Sequence, residues 1–130
     1  MKEKRKHPRV KAVVPISYEC YDDDGEIVEN RMGMVLDVSL GGILMESDAI
    51  IDANHVKIVF VNYNNKECSI IGSVVHSRGS KSGKTYTGIC FHGGENESNS
   101  FVANLIRTYH YRKSRSSQSV NKRSFSASIA

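Results

Sequence analysis

Alternation with a period of two dominates the first half of this chain. From Lys11 to Tyr21 the apolar Val14, Ile16, Tyr18 and Cys20 alternate with Pro15, Ser17 and Glu19, so one face of an extended strand can be buried while the other meets water. Asp22-Asp23-Asp24-Gly25 then reads as a solvated hairpin turn, and Glu26 to Asp37 as the returning strand. Ile43-Leu44-Met45 is a short strand, followed by a polar connection from Glu46 to Asn54 and by His55 to Val61, dense enough in apolar residues to be covered on both faces. Asn62 to Lys66 supplies a turn whose asparagines tolerate positive φ. Cys68 to Arg78 is a strand with Gly72 expected at a bulge or bend, and Lys84 to His92 pairs back with it. Six strands joined mainly by hairpin turns predict an all-β fold, an antiparallel six-stranded Greek-key-like barrel.

A helix follows. Asn96 or Ser98 can cap it, Phe101, Leu105 and Tyr109 form its apolar stripe with Val102 and Ile106 alongside, and it is expected to end near Arg112 and to close one barrel mouth. Glu95 and Glu97 near its start and Arg107, Arg112 and Lys113 near its end suit the helix dipole. Three segments result: a basic, flexible N-terminal arm at 1–10, a barrel with its C-terminal helix at 11–112, and a Ser-, Asn-, Lys- and Arg-rich tail at 113–130 expected to be disordered.

The net charge of +4 hides an uneven distribution. Residues 1–12 hold six Lys/Arg and one Glu, residues 107–130 six Lys/Arg and no acid, and the body between them six against thirteen, about −7. So acidic a body argues against a nucleic-acid surface spread over the barrel, and the basic ends must serve something narrower or nothing. No apolar run approaches the roughly 20 residues of a membrane span, and the charged N-terminus leads into no signal-peptide core, so a cytoplasmic protein without membrane insertion is expected. Cys20, Cys68 and Cys90 lack Cys-x-x-Cys spacing and sit within apolar strand patterns, which reads as reduced, buried thiols. The five histidines share no ligand spacing, so no structural metal is expected. Gly79 to Thr85 fails as a phosphate loop, because its glycines are one residue too close and a strand follows where a helix must. With no nucleophile–base pair either, the reading is of a protein that is not an enzyme.

Two stretches carry chemistry. Asp37-Val38-Ser39-Leu40-Gly41-Gly42 connects two short apolar strands, and beyond an Asx/Ser turn it offers a carboxylate, a hydroxyl and two glycines that admit close approach of backbone or ligand. Arg5-Lys6-His7-Pro8-Arg9 is a basic arm in which Pro8 disfavours helix, and its two guanidinium forks suit an anion. Arg5-x-x-x-Arg9 followed by Asp37-x-Ser39-x-x-Gly42 resembles the paired motif of the PilZ domain, the bacterial receptor module for cyclic di-GMP. The likeness runs from about residue 4 to residue 112.

The resemblance implies a non-enzymatic receptor whose ligand is cyclic di-GMP, with no cofactor and with an unidentified downstream protein as partner. Arg5 and Arg9 would fork onto phosphate or onto the O6/N7 edge of guanine, Asp37 would accept from the N1–H and N2–H donors of a guanine, and Ser39 would bond a neighbouring base or phosphate. Gly41 and Gly42 would leave room for a base. Lys4 and Lys6 flank the motif arginines, Lys4 standing where the family often has a further Arg, and His76 or Arg78 would stack on or bond the ligand from a later strand. The alternatives are a PilZ-like scaffold that has lost nucleotide binding and a small-barrel binder of single-stranded nucleic acid, which would need exposed aromatics along basic strands.

Overall fold

Ala12, Val14, Ile16, Tyr18 and Cys20 are each at most 1% exposed in a computed structural model of the chain, which describes residues 8–129 and the side chains of residues 8–115. That stripe lies along β1 (Val10–Tyr21) and faces the interior of a closed barrel whose other strands are β2 (Ile27–Val38), β3 (Gly42–Ser47), β4 (His55–Val61), β5 (Glu67–Gly79) and β6 (Thr85–Phe91). The order around the barrel is β1-β2-β3-β6-β5-β4, all antiparallel, so β3 and β6 pair across the chain in the Greek-key manner predicted. β1 closes the ring by pairing with β2 along its length and with β4 from Ser17↔Val59 to Tyr21↔His55.

Local chemistry makes the turns. Asp22 Oδ1 accepts the N–H groups of Asp24 and Glu26, both at 2.9 Å, while Gly25 takes φ 80°. In the β4–β5 turn Asn65 takes φ 62°, and Asn62 Oδ1 accepts from the N–H groups of Asn64 and Lys66.

The last element, α1 (Glu95–Ile129), covers the mouth where β4 and β6 end. Phe101 meets Phe60 and Phe91 edge to face at 5.3 and 5.6 Å, and Leu105 is fully buried. Asn62 Nδ2 donates to Asn104 Oδ1 and the Tyr63 N–H donates to Thr108 Oγ1, fixing the β4–β5 turn against the helix.

Several details differ from expectation. The first helical bond runs from the Ser98 N–H to the Gly94 carbonyl, so Gly94 rather than Asn96 or Ser98 is the N-cap, reached through Gly93 at φ 98°. The helix also continues beyond Arg112 to Ile129, where composition predicted disorder from residue 113. No Gly or Pro interrupts the sequence after Gly94 to break the helix. Gly72 is not at a bulge: it stays in register with both Val56 and Phe91, and the irregularity falls at Val75. A Cβ at Gly72 would lie 2.6 Å from Ile89 Cγ2 and 2.7 Å from the Cys90 carbonyl oxygen, so close strand approach accounts for this glycine. The cysteines are not uniformly buried. Cys20 is interior, Cys68 half-buried, and Cys90 exposed, because Cys90 follows inward-facing Ile89 and points the other way.

Two outcomes follow for the barrel. A Cβ at Gly42 would overlap the Ile89 carbonyl oxygen of β6, so Gly42→Ala should lower stability by about 1–3 kcal/mol, whereas Gly79→Ala, with only the Ile50 methyl at 3.9 Å, should stay within about 0.5 kcal/mol. Urea unfolding midpoints measure both. Burial, reinforced by Glu29, pushes the Cys20 thiol up to about 11, so its reactive thiolate is scarce at pH 8. A thiol reagent should modify Cys90 first and reach Cys20 only on unfolding, as peptide mass mapping would show.

Candidate functional site

The two sequence motifs meet at one barrel rim. Arg9 immediately precedes β1 and Asp37 is the penultimate residue of β2, and the register Val10↔Val38 and Lys11↔Asp37 brings them alongside. Arg9 Nε lies 3.5 Å from Asp37 Oδ1, with both side chains somewhat under a third exposed. That contact is an ion pair without hydrogen-bond geometry: Asp37 Oδ1 is buried and accepts no hydrogen bond among the described residues. A buried carboxylate oxygen lacking a donor is an open acceptor, and buried acceptors left open are uncommon.

Ser39 and the glycines shape the turn beyond. The Ser39 N–H donates to the Gly42 carbonyl at 2.9 Å, the Gly41 N–H donates to Ser39 Oγ at 3.2 Å, and the Phe91 N–H donates to the Gly41 carbonyl. Ser39 thus builds its own turn while its hydroxyl hydrogen remains available. The space at Gly42 is filled by the Ile89 carbonyl, so this glycine serves strand approach rather than an opening for a base.

The orientation of Asp37 is set by a β-bulge. Val35 pairs with Met45 and Asp37 with Leu44, which leaves Leu36 as the extra residue of β2. Val35 and Val38 both point inward, so strict alternation would have sent Leu36 outward and Asp37 into the core. The extra residue lets Asp37 face outward. The same device recurs on β5, where Val74 pairs with Ile89 and His76 with Gly88, with Val75 as the extra residue. Inside, Ser77 Oγ bonds Thr87 Oγ1 at 2.8 Å and accepts the Ile51 N–H, so Ser77 is an inward residue and His76 is turned out.

These pairings run Asp37↔Leu44↔Gly88↔His76 in a single row across β2, β3, β6 and β5. His76 lies over Gly88, where a Cβ would stand 2.7 Å from its Nε2. Arg78 occupies the next outward position, paired with Tyr86, and is exposed. Arg9, Asp37, Ser39, His76 and Arg78 therefore belong to the outer surface of the barrel and its rim. Lys4, Arg5 and Lys6 lie outside the described residues.

Sequence reasoning missed the two bulges and Gly88. The signal was present in Val35-Leu36 and Val74-Val75, adjacent apolar pairs each followed by a polar residue that simple alternation would bury. The cleft of about 520 Å³ near Tyr21, Asp22, Asp23 and Asp52 lies at the other barrel end, and its carboxylates disfavour an anion. The outer face at Asp37 has the better chemistry although it is shallow. Among the described residues no three His, Cys, Asp or Glu side chains are arranged to hold a metal ion, and no helix is long and apolar enough to cross a membrane.

No curated protein matches the chain in sequence. Among solved structures it is similar to the Bacillus subtilis inhibitor of motility MotI/DgrA, with a TM-score of 0.60 at 14% identity, covering 82% of this chain and 51% of that one. It is also similar to the PilZ domain of YcgR from Escherichia coli with c-di-GMP, with a TM-score of 0.59 at 10% identity, covering 89% and 98% of the two chains. A third is the K. pneumonia MrkH–c-di-GMP complex, with a TM-score of 0.57 at 16% identity, covering 81% and 53%. The chain thus spans about half the length of MotI/DgrA and MrkH, and at these identities the likeness is one of fold. The family model of the PilZ domain matches residues 3–108, both motifs included, and on that match the chain belongs to the PilZ domain family.

Proposed function

We propose that this chain is a non-enzymatic receptor for cyclic di-GMP, read by Arg5, Arg9, Asp37 and Ser39, with His76 and Arg78 as secondary contacts from β5 and Lys4 and Lys6 adding positive charge beside the arm. The observation that carries the reading is the open Asp37 Oδ1 beside Arg9. A guanine presents N1–H and N2–H, the paired donors that such an acceptor lacks, and the phosphates of the same ligand suit the guanidinium that now lies against it. Movement of Arg9 from Asp37 to a phosphate oxygen frees the carboxylate for the base, so one ligand engages both groups. His76 stands in the Asp37 row with an exposed imidazole, which supports its assignment as a contact of the second base. The PilZ domain of YcgR and MrkH, both solved with c-di-GMP, share this fold and support the same ligand here.

Calorimetric titration tests the reading directly. Cyclic di-GMP should bind in preference to GTP, GMP and cyclic AMP, because only it offers two phosphates and two guanines, and equal binding of GTP would overturn the proposal. Arg9→Ala should lose about 1.5–3 kcal/mol of binding energy, roughly tenfold or more in affinity. Asp37→Ala and Ser39→Ala should weaken binding while shifting stability little, since an ion pair at a barrel rim is worth about 0–1 kcal/mol.

The proposal includes a coupling between ligand and arm. Fixing each arm residue costs about 1–2 kcal/mol of backbone entropy, which is drawn from the binding energy. Cyclic di-GMP should therefore protect the bonds after Arg5, Lys6 and Arg9 from trypsin, read by mass spectrometry, and equal cleavage at saturating ligand would rule out the coupling.

A further inference from the structure

Arg112 Nη2 donates to the Val61 carbonyl at 2.9 Å, one helical turn beyond the Thr108 hydroxyl that accepts the Tyr63 N–H. These two bonds hold the β4–β5 turn beside α1 and bring two aromatic rings together. Tyr63 and Tyr111 lie with centroids 6.0 Å apart and planes inclined at 43°. Tyr111 is 44% exposed, and the Arg115 guanidinium stands 5.7 Å from its centroid. Two residues back, and so on the other side of the helix, Lys113 stands 5.6 Å from the Tyr109 ring.

Charge on this face is mostly positive. After Glu97 the chain carries no acid, while Arg112 and Arg115 are exposed on α1 and Lys66 on the turn; Glu67, opposite Val61 in the β4–β5 pair, is the acid beside them. The barrel's acidity argues against a nucleic-acid surface spread over its strands, but not against one confined to this helix and turn.

Independently of the cyclic di-GMP reading, we propose that the α1 face formed by Tyr63, Lys66, Tyr111, Arg112 and Arg115 binds single-stranded nucleic acid. Ring faces flanked by cations are what unpaired bases and their phosphates require: bases stack on phenol rings and guanidinium planes, and the charges follow the backbone. An acidic peptide would use the cations and leave the rings idle. An anionic membrane would call for bulky aliphatic side chains on the same face, yet within 95–115, the part of α1 whose side chains are described, Tyr111 is the only exposed large apolar group.

Fluorescence anisotropy of a labelled oligothymidine with the full chain provides the test. Binding should saturate and weaken with salt, the logarithm of the affinity falling by about 0.7 per decade of salt for each phosphate engaged. Tyr63→Ala with Tyr111→Ala, which leaves every charge in place, should weaken binding about tenfold or more. Lys66→Gln with Arg115→Gln should flatten the salt dependence. Thermal melts report whether each variant is folded, and Tyr111→Ala alone, at an exposed position, serves if the double variant is not. Failure of the wild-type chain to bind, wild-type affinity in folded tyrosine variants, or binding to phosphatidylglycerol vesicles but not to the oligonucleotide would each overturn the proposal.

Discussion

Closure through β1 is the constraint on which the rest depends. A single strand is hydrogen-bonded to β2 on one edge and to β4 on the other, which removes the free edges that an open six-stranded sheet would present. Closing so few strands leaves an interior that side chains alone can fill, and Val14, Ile16, Val35, Val38, Ile43, Met45, Val56 and Ile58 fill it with at most 1% exposure each. With the interior occupied by side chains, chemistry has to be carried on the outer surface or at the rims. Asp37 and His76 reach that surface because the barrel accommodates an extra residue beside each of them.

Two buried polar side-chain atoms among the described residues have no hydrogen-bond partner, and their settings separate structure from function. The Tyr18 hydroxyl is inside the barrel near Ser47, whose own hydroxyl donates to the Ala49 carbonyl, and its burial raises the phenol pKa above the ordinary value. It is enclosed by core and available to nothing outside. Asp37 Oδ1 is at the rim beside a cation on a basic arm, so a displacement of one side chain opens it. The same energetic deficiency has different meanings because only one of the two lies where a group from outside the barrel can reach it.

Much of the fold was legible in the sequence. The alternation in β1, the Asp22–Gly25 and Asn62–Lys66 turns and the apolar density of β4 each report a local preference that closure does not override. The Arg5/Arg9 and Asp37/Ser39/Gly42 motifs identified the family for a related reason, since their spacing is fixed by the strands between them. What stayed hidden depends on non-local pairing. The bulges at Leu36 and Val75 exist only relative to partner strands, the close approaches at Gly42 and Gly72 are made to β6, far along the chain, and the exposure of Cys90 depends on which side of β6 faces in. The continuation of α1 was missed for the opposite reason. Composition reports whether a segment can pack against a core, and it gives no weight to the absence of a helix-breaking Gly or Pro after Gly94.

Gly88 touches no proposed ligand, yet its lack of a side chain lets the His76 imidazole rest against the sheet. Any larger residue there would tilt the ring outward without altering a motif residue, a charge or a strand pairing. If His76 meets the second base as proposed, homologous barrels with identical motifs would differ in how they grip it through this one silent position, and sensitivity to the ligand would drift in evolution while every signature residue stayed the same.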